Sequence, residues 1–267
     1  MSKEFDSARE LTKPETWDQA WRKYRGMGSR RLAVRELDRY LARVLALVPE
    51  SGSVVELGGA PGRIIERMHK LRPDLRYDCL DFSSTGLDRA AELYDAYGIH
   101  GDLILADLMT CEEKLGHYDL ACSHGVVEHF EDVGAVVARH FAFVKPGGLV
   151  SILVPNYAGF PVAHLIRLFC KRTLETHNLE CMSPKVLERA AERSGGIVLE
   201  AGYAGAAILP CSGTNNSLAG QVYGLTARIW NLLNSFSGLV SGDRLVARFW
   251  RHQVYVIARK QTEQNGL

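Results

Sequence analysis

Three carboxylates stand where short apolar runs end: Glu56 in "SVVELGGAPGRIIERM", Asp81 in "RYDCLDFS" and Asp107 in "LILADLMT". Glu56 opens the pattern E-x-G-x-x-x-G, which runs through Gly58 to Gly62. Glycines at such a turn let the backbone pass close to a ligand, because no Cβ intrudes. A dinucleotide fingerprint would need a third glycine where Arg63 stands. A carboxylate in this place repels a pyrophosphate but suits a cationic ammonium, directly or through water. Asp81 follows Glu56 by 25 residues, where an acid can accept from both hydroxyls of a ribose. Phe82 is then placed to pack on adenine. Asp107 is placed to accept from the adenine amino group, with Leu108 against the ring. Taken singly, each acid also fits a loop residue or a helix cap. At three successive strand ends they suit a nucleoside that carries an amino-acid-like cation.

The elements that would position these acids are legible in the apolar pattern. Strands are expected near 53–57, 76–80, 102–106, 118–122, 148–154, 197–202 and 253–258. Helices are expected near 62–71, 84–97, 132–143 and 184–194, the last with Ser183 as N-cap and Pro184 at its first position. This alternation implies an α/β fold with a mostly parallel sheet and helices on both faces. Such sheets bind ligands beyond the carboxyl ends of their strands, where strand order reverses. The first fifty residues read as amphipathic helix, with Leu32, Leu37, Leu41, Val44, Leu45 and Val48 in one stripe. Within 204–250, the stretch "SLAGQVYGLTARIWNLLNSF" has Leu218, Val222, Leu225, Ile229, Leu232, Leu233 and Phe236 at helical spacing and one charge, Arg228. A helix so poor in charge is expected to hide its stripe, over the substrate mouth, in a dimer face or against a membrane surface or lipid-linked substrate.

Bulk properties agree with a globular, cytoplasmic protein. The 267 residues carry a net charge of +1, which gives no reason to expect a bulk polyanion as partner. Six scattered cysteines without a CxxC pair suit reduced thiols. The charged start "MSKEFDSARELTKPE" is unlike a secretory signal, and no clean apolar run of spanning length occurs.

Together these motifs resemble the class I, Rossmann-like, S-adenosylmethionine-dependent methyltransferases, and in particular bacterial small-molecule and glycan O-methyltransferases. The resemblance rests on "ELGGAPG", Asp81, Asp107, "YDLACSHGVVEHFED" and "VKPGGLVSILVPN", and covers roughly 51–203 plus the closing "HQVYVIARK". It implies a seven-stranded sheet with an antiparallel last strand. It also implies S-adenosyl-L-methionine as cofactor, with S-adenosyl-L-homocysteine as product. Carried onto this chain, the cofactor-binding set is Glu56, Gly58, Gly59, Ala60, Gly62, Asp81, Phe82, Asp107, Leu108 and Ser123. Ala60 replaces the usual middle glycine, and Pro61 stands where Thr or Ser is common. The organisation expected is a helical lid (1–50), a cofactor-binding core (51–203), a helical insertion or substrate cover (204–250) and a closing strand with tail (251–267). Trp17 and Trp21 fit such a lid.

Methyl transfer from a sulfonium is an in-line displacement, in which alignment supplies most of the catalysis. A hydroxyl acceptor also needs a base, and His129 and His177 are the catalytic candidates. His124, which follows Ser123, is a third histidine near the site. His124, Glu128 and His129 spell H-x-x-x-E-H, unlike the zinc patterns HExxH and HxxEH, and no metal is expected. Nucleic-acid acceptors are not expected. The place of the (D/N/S)PPY loop reads "SHGV", and the strand-four acid of ribose methyltransferases is missing. The expected reaction is methylation of a hydroxyl on a small molecule, glycan or lipid-linked sugar, with a homodimer or peripheral membrane contact compatible with the pattern. N- or C-methylation of a natural product or quinone precursor, aminopropyl transfer, and a non-catalytic cofactor-binding module are the competing readings.

Overall fold

The computed structural model describes residues 11–12, 14–23, 31–159, 162–205, 209, 217–241 and 251–262. Helices α1 (Pro14–Lys23) and α2 (Arg31–Leu45) precede β1 (Ser53–Leu57). Next come α3 (Arg63–Leu71), β2 (Arg76–Asp81), α4 (Ser84–Tyr97), β3 (Leu103–Leu105) and β4 (Tyr118–His124). A 3-10 turn at Val127–His129 leads into α5 (Val133–Phe143) and β5 (Val144–Pro155). The chain continues through α6 (Val162–Phe169), α7 (Lys171–Glu175), a second 3-10 turn (Leu179–Cys181) and α8 (Pro184–Arg193). It closes with β6 (Gly196–Ala204), α9 (Leu218–Ser241) and β7 (Gln253–Lys260).

The strands form one sheet in the order β3-β2-β1-β4-β5-β7-β6. Pairings among β1 to β5 are parallel, and β7 runs antiparallel to both β5 and β6. This is the Rossmann-like methyltransferase sheet. Strand β5 starts earlier than its apolar run suggests. Tyr118 pairs with Val144 and Leu120 with Leu149, so the Lys-Pro-Gly-Gly segment bulges out between the two pairs. Gly147 supplies the positive φ (79°) that the excursion needs.

Alternation along the strands divides the core into two layers. Val55, Leu57, Ala121, Val150 and Ile152 face α5 and α8. Val54, Tyr77, Cys79, Leu120 and Leu149 face α2, α3 and α4. Burying both faces is what gives the central strands their continuous apolar runs.

Five residues of the apolar stripe of helix α9 lie uncovered by the described residues of this chain. Leu218, Val222, Leu225, Ile229 and Leu232 are all exposed, Leu218 to 79%. Tyr223, Ala227 and Asn231 point inward instead. The Tyr223 ring stacks on Phe169 of α6 at 4.8 Å. The Asn231 amide clamps both the N–H and the carbonyl of Leu209, at 2.8 Å each. A ring stack and a polar clamp, not the most apolar stripe, thus set the rotation of the helix. The side chains of Leu233 and Phe236 lie outside the described residues. No described helix is long and apolar enough to cross a membrane.

Candidate functional site

Because β1 has β2 on one side and β4 on the other, the sheet's switch point lies at its carboxyl end. A cleft of about 680 Å³, measured to its open mouth, lies there. Gly58 and Ala60 after β1, Asp81 and Phe82 at β2, and Asp107 and Leu108 after β3 line one side. His124, Val126, His129 and Phe130 line the side after β4, and Trp17 and Trp21 of α1 close over the cleft.

Asp81 is 6% exposed. Its Oδ2 accepts from the Ala60 N–H (3.1 Å) and its Oδ1 from the Ser83 N–H (2.8 Å). Those bonds fix the carboxylate and leave lone pairs for two further donors. Burial pushes its pKa up to about 6, against the pull of the two amides. Asp107 is exposed, and its Oδ1 accepts from Met109 N–H at 2.8 Å. Leu108 beside it is buried.

Glu56 does not line the cleft. It pairs in register with Cys122 of β4, so His124, two residues on, lies on its side of the sheet. His124 Nδ1 donates to Glu56 Oε1 at 3.0 Å. Burial raises the Glu56 pKa, and the His124 bond opposes the rise. Glu56 Oε2 and His124 Nε2 are both buried without a hydrogen bond of normal geometry. With Nδ1 donating, Nε2 is a lone-pair acceptor on the cleft wall. Sequence reading saw His124 only as a neighbour of the site. Its link to Glu56 needs the β1–β4 register, which no local pattern reveals.

The glycine turn is shaped by protein neighbours. At Gly58 (φ 68°) a Cβ would sit 2.5 Å from Val126 Cγ2. At Gly62 (φ 83°) it would meet Ala90 of α4 at 3.3 Å. Gly59 and Gly62 are buried and do not line the cleft.

Ser123 also stands apart. Alternation turns it to the α5 face, where its Oγ donates to His140 Nε2 at 2.8 Å, while His140 Nδ1 donates to Val136 O. Ser123→Ala is expected to leave cofactor affinity within about twofold. It should cost roughly 1–2 kcal/mol of stability by orphaning a buried nitrogen, as read by calorimetry and denaturant melts.

His129 and His177 come together with ring centroids 4.7 Å apart. His129 Nδ1 donates to Thr176 O and His177 Nδ1 to Thr173 O, each at 2.8 Å. Burial, with His177 adding to it, lowers the His129 pKa to about 4. Burial lowers His177 too, and pushes the Glu128 carboxyl up to about 8. His177 backs His129 and does not itself line the cleft. Trp17 meets His129 edge-on at 5.1 Å, and Leu11 N–H donates to the His129 carbonyl at 2.7 Å.

A family model described as a methyltransferase domain matches residues 55–150. No curated protein matches the chain. Among solved structures, a candidate sarcosine dimethylglycine methyltransferase from Galdieria sulphuraria is similar at TM-score 0.60 and 16% identity, covering 86% of this chain and 88% of its own. The complex of the Haloferax volcanii Trm112 methyltransferase activator with a candidate methyltransferase matches at TM-score 0.61 and 15% identity, over 96% and 100%. The Burkholderia thailandensis 1,6-didemethyltoxoflavin-N1-methyltransferase, solved with its substrate and S-adenosylhomocysteine, matches at TM-score 0.58 and 13% identity, over 93% and 87%. At these identities the solved structures speak for the fold, and the family model for the domain within it. Sheet order, family model and cleft agree on a methyltransferase domain over residues 55–150, set in a Rossmann-like sheet, with S-adenosylmethionine as its methyl donor.

Proposed function

We propose that the acceptor is a hydroxyl of a small molecule or glycan-like compound, methylated at the His129 end of the cleft. The observation that carries this reading is the polarity of the cleft. Two carboxylates with Phe82 and Leu108 occupy one side, and two imidazoles with a lone-pair nitrogen occupy the other.

In this assignment Asp81 accepts from the ribose hydroxyls, Asp107 from the adenine amino group, and Phe82 and Leu108 flank the ring. His124, oriented by Glu56, accepts a hydrogen bond from the ammonium. Gly58 and Ala60 form the floor, while Gly59 and Gly62 act by packing the turn. When bound, the cofactor supplies an electrophilic methyl group on a sulfonium. The chain aligns the acceptor with that group and keeps water away. Burial keeps His129 neutral at pH 7, and its Nδ1–H is committed to Thr176 O, so Nε2 is left to accept the hydroxyl proton. His177 holds that ring in place. Residues 1–50 serve as the lid, with Trp17 and Trp21 over the cleft. The segment 204–250 is assigned to acceptor choice, although none of its described residues lines the cleft.

The test is methyl transfer from labelled S-adenosylmethionine to a panel of phenols, sugars, amines and thiols. Label in alkali-stable ethers is the expected result. Label only in amines or thiols would overturn the oxygen assignment.

A further inference from the structure

Glu128, His129 and His177 are brought together from the turn after β4 and the loop after α7. Their donor atoms all lie within 4.8 Å of one another. The sequence expectation of no metal weighed His124 as the third residue. In the fold His124 is bonded to Glu56, and His177 takes the place beside Glu128 and His129.

We propose that Glu128, His129 and His177 form a binding site for a divalent transition-metal ion such as Zn²⁺ at the edge of the methyl-transfer cleft.

Three observations carry this. Both imidazoles give their Nδ1–H to backbone carbonyls, Thr176 O and Thr173 O at 2.8 Å. That is the outer-shell arrangement that fixes a metal-binding histidine and leaves Nε2 as the ligand. Second, Glu128 Oε2 is buried with no hydrogen bond, and Oε1 lies 4.0 Å from His129 Nε2, too far for one. A buried carboxyl group that bonds neither imidazole lacks a partner that a cation would provide. Third, the two loops are stapled. Asn178 N–H donates to Glu128 O at 2.6 Å, and its side-chain amide donates to the carbonyls of Phe130 and Glu131 at 3.1 Å. The site is therefore held by backbone rather than by chance approach of free side chains.

Donors on a tetrahedral ion with bonds near 2.1 Å sit about 3.4 Å apart, so closure needs side-chain shifts of about an ångström. Two imidazoles and one carboxylate favour zinc, manganese or iron over magnesium and calcium, which prefer all-oxygen shells. Three protein ligands leave coordination open. His129 belongs to both the cluster and the cleft wall, so an ion here borders the acceptor's place and takes up the Nε2 lone pair that serves as base only in the metal-free protein. That an acceptor oxygen occupies the open position rests on the hydroxyl reading above; metal binding does not.

The experiment is a titration of chelator-stripped protein with Zn²⁺, Mn²⁺ and Mg²⁺ against a fluorescent chelator. It is run without cofactor or acceptor and paired with thermal melts. One equivalent of Zn²⁺ bound at micromolar or tighter affinity is expected, with a raised melting temperature and little response to Mg²⁺. Glu128→Gln keeps the shape and hydrogen-bonding capacity of the side chain and should weaken Zn²⁺ binding by about 100-fold, as should His177→Ala. The Co²⁺ form should show ligand-field bands without a thiolate charge-transfer band, which separates this site from the cysteines. Absence of stoichiometric Zn²⁺ binding, or wild-type affinity in Glu128→Gln, overturns the proposal even if His177→Ala fails to fold. Zn²⁺ bound by a protein that methylates only amines would keep the site and sink the hydroxyl reading.

Discussion

Replacing Asp81 by Ala is expected to weaken S-adenosylhomocysteine binding by about 100-fold or more in isothermal titration. Each hydrogen bond to a charged acceptor contributes about 1.5–3 kcal/mol, and the assignment gives this carboxylate two hydroxyl donors. Asp81→Asn keeps one acceptor and should lose about tenfold. The carboxylate must also be ionised to accept from both hydroxyls. Its pKa is raised from 3.8 to about 6, so affinity should fall as pH drops through 6, at the limit tenfold per unit. The stability sign is the reverse. The folded protein holds the Asp81 proton more tightly than the unfolded chain, so this residue costs stability as pH rises from about 4 through 6. Asp81→Asn removes this pH dependence but turns an NH2 towards one of the two backbone donors, so it should bind less cofactor and lose the stability of that hydrogen bond. Unchanged affinity in Asp81→Ala would refute the ribose assignment.

Gly101→Ala should be the most damaging single methyl in the sheet. A Cβ at this position would lie 1.5 Å from the Tyr77 carbonyl oxygen and 2.3 Å from its carbon. No rotamer change relieves a clash with backbone. The neighbours of Gly101 cannot yield, because His100 O accepts from Tyr77 N–H and Asp102 O from Cys79 N–H, both at 2.8 Å. Asp102 N–H in turn donates to the buried Asp78 at 2.8 Å. Relief requires β3 to leave β2, with a cost above about 3 kcal/mol and a fall in melting temperature of about 10 °C. Gly98→Ala is the control. Its φ of 62° is strained, but nothing lies within 4 Å, so about 1 kcal/mol is expected. Because β3 leads directly to Asp107, the Gly101 variant should also lose cofactor affinity.

The strands and the acids at their ends were legible for one reason. Central parallel strands are buried on both faces, so each reads as an apolar run, and a carboxylate that stops such a run marks the cleft edge. Asp81, Phe82, Asp107 and Leu108 came from that signal and line the cleft. What was hidden depends on which strands and loops meet. The Glu56–His124 bond needs the β1–β4 pairing, and the approach of His177 to Glu128 needs the loop after α7 to reach the turn after β4. Gly62 looked like a ligand-facing glycine, yet its open side meets Ala90. Ser123 sits one residue from His124 and faces the opposite layer, a distinction that strand period alone decides. In α9 the apolar stripe was legible, but that Tyr223 and Asn231 form the inward face depends on Phe169 and Leu209, which no local pattern reveals.

One small residue ties these parts together. The Ser83 hydroxyl gives its proton to Asp18 of α1 (2.5 Å) and accepts from the Gly86 N–H that opens α4 (3.0 Å), while its own N–H steadies Asp81. Seating α1 and fixing Asp81 therefore draw on a single residue. Under the proposed assignment, loosening α1 is expected to weaken the hold on the nucleoside as well.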